Sequence, residues 1–439
     1  MDPARLAAFQ VLVAVRVDDA YANLVLPHVL GQLGLSGRDA AFATELASGT
    51  LRGRGMYDAV LAACIDRPLA KVEAKVLDAL RLGAHQLLAM RVPAHAAIAT
   101  TVDLVKSKVG PGAAGFANAV LRKVAARSLT EWRADLTLAE RTSHPQWVIE
   151  ELDAASRAGG GGPLEDLLDA DNQPPRVTLV ARPGRIGREE LLAEVTGEPT
   201  SLSPYGVVLA GGSPLGIAPV ADGRAGVQDE GSQLVAIALA HAALAGPDRV
   251  WLDLCAGPGG KSALLAALAG EQEAMLVATE RQPHRAGLVA QNLRGADAAL
   301  GVVAADGTRA PFRPGTFDRI LVDAPCSGLG ALRRRPEARW RRRPADVAEL
   351  VTLQRALLDS ALDLARPGGL VLYATCSPVL AETRDVVAAT LAGRDDATLV
   401  PLALGVPDAE GPLPGTVQLW PHRHGTDAMF LALLTRRPR

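Results

Sequence analysis

Apolar side chains recur three and four positions apart over roughly the first 130 residues, which is the spacing of one face of an amphipathic α-helix. Breaks such as LGLSGRD at 33–39 and GPGAAG at 110–115 separate the Ala- and Leu-rich segments that carry this spacing. Ser36 followed by Asp39 is typical of a helix N-cap and its first turn. The pattern predicts an all-helical domain over residues 1–135.

The hydrophobic pattern changes at SRAGGGGPLED, where the glycines at 159–162 predict a flexible break. The first β-rich run follows at 177–181, and REELLAEV and VVLA then add a short helix and a short strand. Residues 136–225 are therefore predicted to form a linker and a small α+β module.

From about residue 226 onward, β-rich runs alternate with helical ones. RVWLDLC, AMLVATE, GVVAAD, DRILVDAP and GLVLYATC are typical of strands, and helix-like segments lie between most of them. Such alternation predicts an α/β domain with a doubly wound, Rossmann-like parallel sheet over residues 226–439. Ligands of these sheets bind beyond the carboxyl ends of the strands, so that edge is where chemistry is expected.

Composition limits the classes of function. The 439 residues are 49% hydrophobic, enough for two or three domains with cores of their own. A net charge of −2 leaves no global positive field, so any nucleic-acid surface has to be a local patch. We see neither a signal peptide pattern nor an apolar run long enough to span a membrane. We therefore expect a soluble, cytoplasmic protein.

The cysteines, Cys64, Cys255, Cys326 and Cys376, include no CxxC pair, which argues against the common zinc and disulfide patterns. Widely spaced free thiols favour a reducing compartment. We expect no metal, and we interpret Cys64 and Cys255 as structural residues.

The glycine loop LDLCAGPGGKS at 252–262 follows a predicted strand and opens a helix, where backbone N–H groups can meet a polar ligand. A dinucleotide fingerprint begun at Gly257 would need glycine where Ser262 stands. A P-loop would need glycine where Cys255 stands, although GKS and the strand RILVD otherwise suit an NTPase.

A third interpretation is the cofactor loop of an S-adenosylmethionine-dependent methyltransferase. Such an enzyme requires an acid at the end of the next strand, which accepts hydrogen bonds from the ribose hydroxyl groups. Glu280 stands there, and Asp306 after the third strand is suited to flank the adenine. The predicted cofactor site comprises the loop and nearby charged side chains: Cys255, Ala256, Gly257, Pro258, Gly259, Gly260, Lys261, Glu280, Arg285, Asp306 and Asp323.

Cys326 in VDAPCSGLG and Cys376 in YATCSP each follow a predicted strand, and the two strands are expected to be neighbours in the sheet. The cysteines should then converge beside the cofactor. A thiolate that adds to C6 of a pyrimidine makes C5 nucleophilic toward a methyl donor, and Asp323 is placed to bind or protonate the N3 edge. A free cysteine is often only a small buried hydrophobe, but two at adjacent strand ends favour catalysis.

At these residues the chain resembles the RNA cytosine-5 methyltransferases: DLCAGPGGK is similar to their cofactor loop, DAPCSG to their fourth motif and ATCSP to their sixth. The resemblance implies a class I methyltransferase fold that produces 5-methylcytidine. It assigns Cys376 as the nucleophile and Cys326 as the residue that assists breakdown of the adduct. Spacing alone does not choose between the two cysteines. Glu280 stands where many relatives carry aspartate, and Thr383–Arg384 stand where Glu-Asn is more usual.

The N-terminal helices extend the resemblance. LSGRDAAFATELASGTLR, VPAHAAIATTVDLVK and GFANAVLRKV are similar to the NusB-like RNA-binding domain that one bacterial branch of this family carries. The resemblance implies that the partner is 16S rRNA, naked or partly assembled. We also expect a monomer that does not associate with a membrane.

Seven arginines surround Trp340 in RRRPEARWRRRP at 333–344, directly after the fourth motif. Such a run is often only solvated, but arginine binds phosphate bidentately and stacks on bases. We predict RNA-binding residues among them: Arg333, Arg334, Arg335 and Arg339. Two other functions stay open at this point. They are an RNA-binding antitermination factor without enzymatic activity and a P-loop NTPase.

Overall fold

The computed structural model describes residues 1–437. This part of the chain forms two compact units. The first unit consists of residues 1–150, 168–174 and 332–341, and the second contains the rest of the described chain. Nine residues of the arginine run, 333–341, therefore belong to the first unit.

Helices build the first unit, as the hydrophobic spacing predicts. In chain order they are α1 (Pro3–Val17), α2 (Ala22–Gln32), α3 (Gly37–Arg52), α4 (Arg54–Cys64), α5 (Ala74–Leu88), α6 (Ala94–Lys108), α7 (Pro111–Ala125), α8 (Leu129–Ala134) and α9 (Leu138–Thr142). Their apolar faces enclose a core in which Leu46, Val60 and Leu80 are fully buried. Ser36 is the N-cap of α3, as expected, but its side chain makes no capping hydrogen bond.

The glycine run at 159–162 lies between α10 (Gln146–Ala158) and α11 (Leu164–Asp171). Its carbonyl groups accept hydrogen bonds from the second unit's own side chains, with Trp420 Nε1 3.3 Å from the carbonyl oxygen of Gly159 and Arg423 bonded to that of Gly160. These bonds hold the run as a turn at the place where the sequence predicts a break between segments.

A small antiparallel sheet follows, in the region where a β-rich run and a short helix were predicted. Its elements are β1 (Thr178–Ala181), α12 (Arg188–Glu194), β2 (Gly197–Pro199), β3 (Gly206–Leu209), α13 (Ala218–Ala221) and β4 (Ala225–Val227). The strand order is β2-β3-β1-β4.

The large sheet of the second unit carries the predicted α/β pattern. Its elements are α14 (Glu230–His241), β5 (Val250–Asp253), α15 (Gly260–Glu271), β6 (Met275–Glu280), α16 (Pro283–Asn292), β7 (Ala299–Ala304), β8 (Phe317–Asp323), α17 (Ala338–Arg341, part of the first unit), α18 (Pro344–Leu364), β9 (Ala365–Thr375), α19 (Arg384–Gly393), β10 (Ala397–Val400), β11 (Val417–Gln418), α20 (Pro421–His424) and β12 (Phe430–Arg436). The strand order is β10-β12-β9-β8-β5-β6-β7, and β11 pairs with β12.

Strands β9, β8, β5, β6 and β7 are parallel to one another, as the alternating pattern predicts. The first six residues of β8 are buried, which is typical of a parallel strand covered on both faces. The sheet is nevertheless mixed, because β12 and β10 add antiparallel pairs beyond β9. The sequence pattern did not predict the strands after Thr375, since no helix separates β11 from β12 other than the single turn α20.

Two buried charges fix β8 against its neighbours at the edge of the sheet opposite the cysteines. Asp318 accepts hydrogen bonds from the backbone N–H groups of Arg249 and Val250 at 2.8 and 2.9 Å. Arg319 binds both carboxylate oxygens of Asp248 and donates to the carbonyl groups of Leu239 and Ala242 at 2.6 and 2.7 Å. These bonds set the start of the parallel register. None of the helices among residues 1–437 has both the length and the apolar content needed to cross a membrane.

We predict that Arg319→Ala lowers the free energy of unfolding by about 3–5 kcal/mol, because two carbonyl groups lose their donor and the partly buried Asp248 carboxylate loses its charged partner, keeping the hydrogen bond from Trp251 Nε1. Urea unfolding followed by circular dichroism measures the change. Arg249→Ala, which removes a neighbouring exposed arginine side chain, is the control and should change stability by about 0.5 kcal/mol or less. Equal losses for the two variants would contradict the anchoring role of Arg319.

Candidate active site

The glycine loop between β5 and α15 lies against the end of β6. A side chain at Gly257 would overlap the Glu280 carboxylate and would come within 2.6 Å of Arg285 Nη2. Gly259 has a φ of 111°, and a Cβ there would lie 2.9 Å from Val289 Cα. Both positions therefore require glycine, and the absence of side chains leaves the Glu280 carboxylate directly beside the loop.

Glu280 is buried and has the acceptor oxygens that ribose hydroxyl groups require. Its Oε1 accepts the backbone N–H of Gln282 at 2.9 Å. Its Oε2 lies 3.4 Å from Arg285, which also donates to the carbonyl oxygen of Gly257 at 2.8 Å. Arg285 therefore joins the acid to the loop.

Asp306 follows β7 and is half-exposed. Hydrogen bonds from the hydroxyl and the backbone N–H of Thr308 lower the pKa of Asp306. The residues fit S-adenosylmethionine, since a loop whose Gly257 and Gly259 lack side chains meets an acid pair able to accept hydrogen bonds from hydroxyl and amine groups. Glu280 would hold the ribose, Asp306 would flank the adenine, and the loop backbone would face the amino-acid part.

A second group of charges links the glycine loop to the fourth motif. Lys261 Nζ donates to Asp323 Oδ2 at 2.8 Å. Burial opposes the charge on Lys261, but the Asp323 carboxylate outweighs it and raises the pKa of the lysine. Asp253 at the end of β5 accepts a hydrogen bond from Ser262 Oγ at 2.7 Å, and burial raises the pKa of Asp253 to about 7. Ser262 thus binds a buried acid.

The two cysteines converge as predicted. Strands β8 and β9 are parallel neighbours with Asp323 opposite Ala374, and the Sγ atoms of Cys326 and Cys376 lie 3.4 Å apart. A backbone hydrogen bond of 2.9 Å from Gly330 N to the carbonyl oxygen of Cys376 ties the two loops together. Cys64 packs into the core of the first unit, in agreement with the structural role expected for it.

The charged groups around Cys326 differ from those around Cys376. A hydrogen bond to Cys376, followed by burial and the charge of Glu382, raises the pKa of Cys326 well above its usual range. Burial and the hydrogen bond thus both favour the protonated form of Cys326, and either sulfur can be the donor of the bond between the two. The Lys261 ammonium and a negative charge on Cys376 attract each other. Negative charge is consequently favoured on Cys376.

Glu382 is a residue of this site that the sequence analysis missed. It is fully buried and accepts hydrogen bonds from Ser327 N at 2.7 Å, Ser377 Oγ at 2.6 Å and Gln354 Nε2 at 3.0 Å, as well as from the Ser327 hydroxyl. Ser327 and Ser377 each follow one of the cysteines. The Cys-Ser dipeptide, which occurs at both strand ends, is the sequence feature that could have indicated this residue. Two buried hydroxyl groups need a hydrogen-bond partner, and one acid can serve both.

The arginine run is divided by the structure. Arg339 is fully buried in the first unit, where it donates to the carbonyl oxygen of Ser143 at 3.0 Å and to Asn172 Oδ1 at 2.9 Å. Its assignment as an RNA-binding residue is corrected, because no part of its side chain reaches solvent. Arg333, Arg334 and Arg335 are half-buried.

Arg342 belongs to the second unit and donates to the carbonyl oxygens of Ser327 and Cys326 at 3.2 and 3.5 Å. These hydrogen bonds stabilise the fourth-motif loop. The sequence analysis did not identify Arg342 in this role. Trp340 packs within the first unit, with the guanidinium group of Arg54 5.4 Å from its ring centre. Among residues 1–437 no group of three or more His, Cys, Asp or Glu side chains could hold a metal ion.

Comparisons with known proteins agree with this geometry. Residues 242–435 match the family described as 16S rRNA methyltransferase RsmB/F, and residues 2–126 match the NusB family. The chain is 52% identical over 447 residues to a protein of Mycobacterium tuberculosis H37Rv that is named as a methyltransferase, covering 99% of this chain and 97% of that protein. It is 36% identical to the ribosomal RNA small subunit methyltransferase B of Pseudomonas putida, with 99% of each chain covered.

A solved structure shares the fold. The crystal structure of PH0851 has a TM-score of 0.82 and 23% sequence identity, and the alignment covers 99% of each chain. At this identity the likeness establishes the architecture alone. The full-length identity to the bacterial relatives carries the further conclusion that the chain belongs to the 16S rRNA methyltransferase RsmB/F family and is an S-adenosylmethionine-dependent RNA methyltransferase.

Proposed function

We propose that the protein methylates C5 of a cytosine in 16S rRNA through a covalent adduct between Cys376 and C6 of the base. The observation that carries this proposal is the 3.4 Å separation of the Cys326 and Cys376 sulfur atoms beside the cofactor loop. The names of the family and of the Pseudomonas relative support 16S rRNA as the substrate. A base has to leave its stack to reach these half-buried thiols, so the target cytosine lies in a single-stranded or looped segment.

Addition of Cys376 activates the base. The thiolate forms an S–C6 bond, the electrons of the C5–C6 double bond move toward N3, and N3 takes up a proton from solvent. The Asp323 carboxylate then accepts a hydrogen bond from the protonated N3. The ammonium group of Lys261, 2.8 Å from Asp323, stabilises the negative charge of that carboxylate while the base changes its charge. S-adenosylmethionine, when bound, supplies an electrophilic methyl group. C5 of the adduct is now the nucleophilic carbon.

Cys326 loses its thiol proton to solvent and then, as a thiolate, acts as the base that removes the C5 proton. The hydrogen bond to Cys376 is the largest cause that raises the pKa of Cys326. This cause disappears when the Cys376 sulfur becomes a neutral thioether, so formation of the adduct itself makes Cys326 easier to deprotonate. The electron pair of the C5–H bond restores the C5–C6 double bond, N3 gives up its proton and the Cys376 thiolate leaves.

Glu382 positions both sulfur atoms for these steps. One carboxylate binds the residue after each cysteine, so the two loops cannot shift independently without breaking a buried hydrogen bond. Its negative charge also contributes to the raised pKa of Cys326, after the Cys376 hydrogen bond and burial. Outside the cysteine loops, Arg333, Arg334 and Arg335 are proposed RNA contacts, and the protein is proposed to act as a monomer.

We predict that Cys326→Ser and Cys376→Ser separate the two roles. Cys326→Ser should accumulate a protein–RNA adduct that resists denaturant, because the adduct forms but its C5 proton is not removed. Cys376→Ser should form no adduct and should methylate at least about 100-fold more slowly. Denaturing gels with labelled, unmodified 16S rRNA and the cofactor report the adduct, and incorporation of labelled methyl groups reports turnover. Methylation at the wild-type rate by Cys376→Ser would overturn the assignment.

We predict that Glu382→Gln lowers kcat about 10- to 100-fold, because small displacements of reacting groups have effects of this size. Loss of the negative charge should also lower the pKa of Cys326 and move the pH–rate profile toward lower pH. A role in folding alone would reduce the amount of active protein without moving that profile. Glu349→Gln, an exposed change on α18, is the matched control and should leave both the rate and the profile unchanged.

A further inference from the structure

Two arginines of the second unit lie side by side in the turn between β1 and α12. Arg182 Nη1 and Arg185 Nη1 both donate to the carbonyl oxygen of Gly223 at 2.9 Å. Arg182 also donates to the carbonyl oxygen of Asn292 at 3.0 Å, and Arg185 donates to that of Arg294 at 2.8 Å. These bonds join the small sheet to the end of α16, but every acceptor in them is a neutral oxygen.

The pair has no carboxylate counter-ion. No Asp or Glu side chain of residues 1–437 lies within ion-pair distance of either guanidinium group, and Arg182 Nε makes no hydrogen bond within that part of the chain. The Asp222 carboxylate in the adjacent turn binds Arg224 at 2.9 Å instead. Burial, followed by the charge of Arg185, lowers the pKa of Arg182 to about 10. Two neighbouring guanidinium groups that are partly shielded from water repel each other and lose hydration free energy, unless an anion binds between them.

A cavity of about 280 Å³ opens beside the pair. Its floor is a face of α15 built of small residues, and the loop after α16 closes the other side. A Cβ at Gly295 would lie 3.0 Å from Arg185 Nη2, so the glycine keeps the guanidinium group accessible. Two acids, Glu271 and Asp297, also line the cavity, but both are exposed and their charges are screened by solvent.

We propose that the cavity beside Arg182 and Arg185 binds a phosphate group of the RNA strand. The proposal rests on the proposed function insofar as RNA is the substrate. Guanidinium groups bind phosphate through charge-assisted hydrogen bonds. The small residues of the floor offer no aromatic platform or base-reading side chain, so the contact positions the strand without selecting its sequence. A purely structural bridge between β1 and α16 would explain the carbonyl bonds but not the buried Arg182 Nε, which has no acceptor among residues 1–437 and lies beside the cavity.

The test uses Arg185→Gln in the full-length protein, since Arg185 is the less buried member and glutamine can still donate to a carbonyl group. Filter binding of an unmodified 16S rRNA fragment is measured across salt concentrations. Loss of one phosphate contact should weaken binding about 5- to 10-fold near physiological salt and reduce the slope of log K against log salt by about 1. Arg188→Gln removes the same charge from the same module, where Arg188 already binds Glu189, and should leave the slope unchanged.

A second measurement identifies the source of the phosphate group. Thermal unfolding is followed in inorganic phosphate and in chloride at equal ionic strength. Stabilisation of the wild type by phosphate that Arg185→Gln abolishes, together with the reduced RNA slope, supports the proposal. The same stabilisation with an unaltered RNA slope would assign the cavity to free phosphate and overturn the RNA contact. An unaltered slope without stabilisation would leave the arginines as a structural bridge and also overturn it.

The outcome is distinguishable from a failure of the proposed methylation. Methyl transfer at saturating RNA is assayed with the wild type and with Arg185→Gln in parallel. Absence of 5-methylcytidine with the wild type would overturn the proposed reaction whatever the salt slopes show. Normal methylation at saturating RNA, combined with a reduced slope for Arg185→Gln, is the result expected if both proposals hold.

Discussion

The parallel pairing of β8 with β9 is the constraint on which the active site depends. Parallel strands end at the same edge of a sheet, so two cysteines separated by fifty residues come within 3.4 Å of each other without a disulfide or a metal. The register of this pair is set from both ends. Asp318 and Arg319 hold the beginning of β8, and Glu382 holds the loops that leave β8 and β9. A shift of one residue would turn the strand faces over and would separate the sulfur atoms.

In the proposed mechanism, the same arrangement distributes charge so that two chemically identical thiols have different tasks. Cys376 lies within the field of the Lys261 ammonium, whereas the hydrogen bond to Cys376, burial and the Glu382 carboxylate raise the pKa of the half-buried Cys326. The difference between the two thiols depends on whether Cys376 has formed the adduct, because its hydrogen bond is the largest cause of the raised pKa of Cys326. In this proposal Cys326 is protonated before the adduct forms and acts as a base afterwards. No conformational change is needed between these two states. The covalent step itself changes the electrostatics.

The sequence predicted those parts of the molecule that follow from local periodicity and from strand ends. The helices of residues 1–135, the parallel strands and the convergence of Cys326 with Cys376 depend on patterns that neighbouring residues carry, and the structure confirms them. Strands β10 and β12 were missed because their membership in the sheet is decided by pairing across the chain. Glu382 was missed for a related reason. In the sequence, a buried acid cannot be distinguished from a helix-capping residue. Its role becomes clear only when the fold brings the two hydroxyl groups that it binds next to each other.

The arginines show why composition is a poor guide to nucleic-acid surfaces. In the run at 333–344 the highest local density of positive charge includes Arg339, whose guanidinium group is enclosed by oxygen atoms of Ser143 and Asn172 and attracted by Asp171. Arg182 and Arg185 stand in an unremarkable stretch of sequence, yet they repel each other beside an open cavity. What distinguishes a binding arginine is therefore the charge balance of its surroundings and the space in front of it. Both are properties of the folded chain, because the atoms that surround each guanidinium group come from segments more than a hundred residues apart.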